Sequence, residues 1–96
     1  MSTEIVALRL EVAAFLETLG RMSSEAWKET AKGPTLGRYN ALLAEAKRLL
    51  PEVTLWPHRL EATNEAANLD VLMYAEQLAD RLADTDPAGD SAIWRR

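Results

Sequence analysis

Apolar residues recur along the first part of the chain with the spacing of a helix that buries one side. Ile5, Leu8, Val12, Phe15, Leu19 and Met22 step by 3, 4, 3, 4, 3, which holds them on one seam for about three heptads. Ser2 or Thr3 suits the N-cap, Glu4 suits the first turn and Gly20 suits the position just past the end. Met22-Ser23 followed by Trp27 predicts a restart, with Ser23 as N-cap and Met22 stapled onto Trp27. This short second helix, SSEAWKETAK, is expected to stop at Gly33-Pro34. Thr35 is expected to cap a third helix, in which Leu36, Tyr39, Leu43, Ala46 and Leu50 repeat the stepping and Leu42 and Leu49 widen the stripe. Pro51 ends it.

PEVTLW is irregular, and Pro57 fits the first position of a last helix. That helix can run unbroken to Asp84, roughly 40 Å at about 1.5 Å per residue, or restart near Thr63-Asn64. Leu60, Ala67, Val71, Tyr74, Leu78 and Leu82 group on its core side. Glu61, Glu65, Glu76, Asp80 and Asp84 lie on the far side, with Leu69, Leu72 and Met73 among them. A helix apolar nearly all round is usually buried all round, and a chain of 96 residues has little left to cover it with. A second copy is the simplest cover, unless the short helix or the WPHR segment lies over the patch. The expected fold is therefore all-α: an antiparallel helical bundle of three long helices plus one short helix, completed by dimerisation. Residues 1–86 form the domain and residues 87–96 a short C-terminal tail.

Composition narrows the function classes. With no cysteine, neither a disulfide nor a thiolate metal site supplements the core, and a reducing cytoplasm is the expected compartment. A net charge of −4 argues against nucleic-acid binding, which needs clustered Lys and Arg. The most apolar run, Ile5 to Leu19, carries Arg9, Glu11 and Glu17 and is unsuited to a membrane. The MSTE start lacks the basic region of a signal peptide.

The acidic face has three readings: a solvated side, a docking surface or a metal site. Glu76, Asp80 and Asp84 repeat at i, i+4, which is tolerated if cations lie opposite; the candidates are Arg38, Lys47, Arg48, Lys28 and Lys32. Residues 70–80, DVLMYAEQLAD, resemble the aspartate-bearing helix of the MazG-like all-α nucleotide pyrophosphohydrolases, and residues 11–17, EVAAFLE, are similar to that family's E-x-x-E-L-x-E pattern. The resemblance implies magnesium held by Glu11, Glu17 and Asp70 to activate water against a nucleotide phosphate. Ala14 and Ala67 stand at two expected ligand positions, and a methyl group cannot bind a hard cation.

Other chemistry finds little support. His58, the single histidine, has no partner for zinc, and no serine or threonine has an evident histidine–acid pair. GPTLGR lacks the GK[ST] ending of a phosphate loop. In the tail SAIWRR, Ile93 and Trp94 followed by Arg95 and Arg96 have the make-up of a short peptide for an acidic groove. The reading favoured by these residues is a small non-catalytic interaction or assembly module without a cofactor. Its partners would be a second copy and another protein, reached through Leu69, Leu72 and Met73 with a rim of Glu65, Glu76 and Asp80. The alternative is the metal-dependent pyrophosphohydrolase or an inactive relative of it.

Overall fold

The computed structural model of the protein describes residues 3–84. Among these it is all-helical: α1 (Thr3–Gly20), α2 (Ser24–Lys28), α3 (Gly33–Leu49) and α4 (Asn68–Asp84), with one 3-10 turn at Ala62–Asn64. The described residues contain no strand beyond an isolated bridge between Thr30 and Ala67, and no helix among them is long and apolar enough to cross a membrane.

The seam of α1 is buried as its spacing requires: Ile5, Leu8, Val12, Phe15 and Leu19 all lie in the core. From α3 come Leu36, Tyr39, Leu42, Leu43 and Ala46, and from α4 Val71, Ala75, Leu78 and Leu82. α1 packs against both α3 and α4. Two polar contacts tie the helix ends together. Arg48 near the end of α3 pairs with Glu4 at 3.0 Å, and Arg9 donates to the carbonyl of Leu82 at 2.7 Å.

The join between α1 and α2 follows the expected restart. The Ser23 hydroxyl accepts from the Ala26 N–H at 3.2 Å. Trp27 is half-buried and donates its indole N–H to the Leu19 carbonyl at 2.7 Å, so one side chain closes the carbonyl end of α1. α2 ends earlier than expected, at Lys28. Beyond it the backbone turns to tertiary partners: Ala31 N–H donates to Ala66 at 2.8 Å and Asn68 N–H to Glu29 at 2.9 Å. Thr35 does not cap α3. The helix starts at Gly33 with Lys32 as N-cap and Pro34 in the first turn, where the fixed φ of proline suits the helix and its missing N–H costs nothing.

The largest correction concerns residues 57–67. They do not begin the last helix, which starts at Asn68 and spans 17 residues, about 25 Å at 1.5 Å per residue. Pro57 is buried in a non-helical stretch, and its neighbours are held by α3. Tyr39 donates its hydroxyl to the His58 carbonyl at 2.7 Å. The Asn40 amide donates to Leu60 O at 2.8 Å and accepts from Leu60 N–H at 3.0 Å. Glu61 and Asn64 then cap the 3-10 turn reciprocally, and Glu65 follows at φ 52 in the left-handed region, which stops helical propagation.

Asn40 thus supplies both partners of one buried residue. Replacing it by alanine is expected to strand the N–H and C=O of Leu60 and lower stability by about 2–3 kcal/mol. Urea unfolding of Asn40→Ala checks this; an unchanged midpoint would show that water replaces the side chain.

Candidate functional site

α4 carries the residues singled out from the sequence, and its start is fixed firmly. Asn68 is buried and donates its amide to the Ala26 carbonyl at 2.8 Å. Asp70 accepts from the Ala67 N–H at 3.0 Å, the reciprocal half of an N-terminal capping pair. Asp70 therefore has a structural partner on its own helix, with its carboxylate in the first turn where the helix dipole favours it.

From this start the two sides of α4 separate. Val71, Ala75, Leu78 and Leu82 are buried. On the outer side Leu69 is 40% and Met73 52% exposed, one turn apart. Leu72 differs from them: it is half-buried and packs against the core. Glu76 and Asp80 follow on the exposed side. Glu65 does not share their helix, because it ends the 3-10 turn that precedes α4. α2 touches α4 without covering Leu69 and Met73, and His58 lies toward α3 through its bond to Tyr39.

Of the cations expected to face the acids, Arg48 is engaged elsewhere. Arg48 pairs with Glu4 and Glu45, Arg21 with Glu17 and Arg59 with Glu61. Among the described residues neither Glu76 nor Asp80 is in an ion pair. Their like charges at i, i+4 repel weakly in water, which a basic partner would relieve.

Glu11, Glu17 and Asp70 are not gathered. Glu11 borders a shallow pocket with Glu4 and Glu45, Glu17 pairs with Arg21, and Asp70 caps α4. No group of three or more metal-ligating side chains comes together among the described residues. His58 is exposed and borders a second pocket with Asn64, Asp70 and Tyr74.

Two exposed apolar side chains escaped the sequence reading: Val6 at 41% and Leu10 at 68%. They stand one turn apart on α1, away from its seam. Their signal was present in the apolar column Val6, Leu10, Ala13, which Glu17 ends, but the stronger 3, 4 seam on the same helix masks this second stripe. Between α1 and α4 runs a cleft of about 240 Å³, walled by Val12, Ala13, Leu16, Ala79, Leu82 and Ala83 with Arg9 at its edge. Ile93, Trp94, Arg95 and Arg96 lie outside the described residues. Searches against protein-family models, curated proteins and solved structures find no match to this chain.

Proposed function

We propose that this protein is a non-catalytic interaction module of the cytoplasm, an antiparallel bundle that pairs with a second copy through the outer face of α4. The observation that carries the reading is the exposure of Leu69 and Met73, side by side, on a helix whose opposite stripe is fully buried. Scattered apolar residues are normal on a surface. Here two large ones adjoin the half-buried Leu72, so one patch offers continuous apolar area. Glu76 and Asp80 rim it and set orientation, because each stays solvated while the centre is covered. The absence of cysteine fits a reducing compartment.

Sedimentation equilibrium over a dilution series tests the pairing. The expected mass is twice 10.7 kDa at high concentration, falling to 10.7 kDa on dilution. A single mass of 10.7 kDa throughout would remove the dimer. Thermal unfolding with magnesium and nucleoside triphosphates separates this reading from a pyrophosphohydrolase. A ligand at a hundredfold excess over its Kd stabilises the fold by about 2.7 kcal/mol. No shift is expected; one that needs both metal and nucleotide would favour the enzyme.

A further inference from the structure

We propose that the pairing surface spans two helices, so that Val6 and Leu10 on α1 of one copy pack against Leu69 and Met73 on α4 of the other, twice over in a symmetric dimer. The inference rests on the pairing proposed above and names what the outer face of α4 meets. α1 is apolar on two sides. Its seam is buried, and the opposite face holds Thr3, Val6, Ala7, Leu10, Ala13 and Ala14, all exposed and none charged. The charged side chains of this helix lie away from that face. Arg9 turns to Leu82 of α4, Glu4 pairs with Arg48 of α3 and Glu11 borders a pocket with Glu45 of α3. Glu17 lies past Ala14 and pairs with Arg21. A surface depleted of charge has the make-up of an interface centre, and a helix apolar on two sides is usually buried on both.

The area that a stable dimer needs points to a second copy over both helices. A helix is about 10 Å wide with its side chains and α4 is about 25 Å long. The α4 faces of two copies thus offer roughly 500 Å², half of the about 1,000 Å² that a specific contact clears. α1, with 18 residues, doubles that footprint. The two faces join across the cleft, whose walls include Ala13 of α1 and Ala79 and Ala83 of α4. Leu72 lies seven residues before Ala79 on the same side of α4 and leads to Leu69. The exposed pairs stand at opposite ends of this joined surface. Arg9, beside Leu10, is bonded to Leu82, whereas Leu69 lies about 20 Å from Leu82 along α4 at 1.5 Å per residue. A two-fold axis lying in the contact, across the line between the pairs, exchanges those ends, so each α1 pair meets the other copy's α4 pair. Neither pair carries charge, so a second copy presses no like charges together at these contacts.

Single-cysteine variants of the full chain test it, since the sequence has no cysteine of its own. Leu10→Cys and Met73→Cys proteins, mixed and treated with a short bismaleimide, should give cross-linked dimer, while either variant alone should not. Leu10 is 68% exposed, so Leu10→Asp should keep the helicity of the wild type and weaken association about a hundredfold in sedimentation. Cross-linking of Met73→Cys with itself would overturn the proposal by setting α4 on α4, and would leave the pairing through α4 in place. Cross-linking of Leu10→Cys with itself would overturn it by setting α1 on α1. A wild-type dimer that Leu10→Asp leaves equally tight would overturn it as well. A wild type that stays monomeric at every concentration would remove the pairing and this contact together.

Discussion

Tyr39→Ala is expected to lower the unfolding free energy by about 3–5 kcal/mol, the range for truncating a buried aromatic side chain. Tyr39 has no exposed surface and sits where three parts of the chain meet. Its ring packs on the core of α3 and edge-on against Tyr74 of α4, with centroids 6.2 Å apart. Its hydroxyl holds the His58 carbonyl of the irregular segment. Alanine removes all three contacts and leaves a cavity beside a carbonyl without its donor. Against a total stability of about 5–14 kcal/mol for a domain this size, the variant would unfold on the order of 20 °C lower, at several degrees per kcal/mol. Calorimetry checks this; a shift of a degree or two would mean that the site collapses around the gap.

The same burial makes stability fall at high pH. Desolvation, helped by the neighbouring Tyr74, raises the Tyr39 phenol above its ordinary range. The folded state thus holds its proton when the unfolded chain releases it. The contribution is fully present below the ordinary tyrosine value of about 10 and is lost as pH rises above it. Tyr39→Phe should cost about 1 kcal/mol at neutral pH through the lost hydrogen bond and should flatten the alkaline decline. An equally steep decline in the variant would assign it to other groups.

The second large effect is on association. Leu69→Asp with Met73→Asp is expected to weaken pairing by about 10²–10⁴-fold. Burying one large apolar side chain contributes about 1.5–3 kcal/mol; four change across the pair, each already about half covered in the single chain, which leaves about 3–6 kcal/mol at 1.4 kcal/mol per tenfold in Kd. Leu72 is left intact because it packs against the core, so aspartate there would confuse folding with binding. Leu69 and Met73 are exposed in the single chain, and their replacement should leave helicity unchanged.

The stripes of α1 and α3 were legible in the sequence because each repeats its spacing over four or five turns: every predicted seam residue of α1 from Ile5 to Leu19 is buried, whereas in the last stripe Leu60 and Ala67 precede α4 and Ala75, not the half-buried Tyr74, completes the core side. Ser23 and Trp27 were legible for a local reason, since a cap acts within a few residues. The stretch from Pro57 to Ala67 was not. Its conformation is set by Tyr39 and Asn40, nearly twenty residues earlier in the chain, and no periodicity within the stretch reports a partner so distant. Proline at its start and leucine at Leu60 fit a helix equally well until those bonds are seen. At the candidate site, the exposure of Leu69 and Met73 follows from the helical wheel. Leu72 sits at the boundary, where a wheel cannot say how far a neighbouring helix reaches. Val6 and Leu10 were hidden behind a stronger pattern on the same helix.

Sedimentation equilibrium of the wild type beside the Leu69→Asp, Met73→Asp variant, at one concentration and with matched circular dichroism, tests the central claim most directly. The account predicts a dimer for the wild type and a fully helical monomer of 10.7 kDa for the variant. Equal masses for the two proteins would contradict it and return the outer face of α4 to solvent.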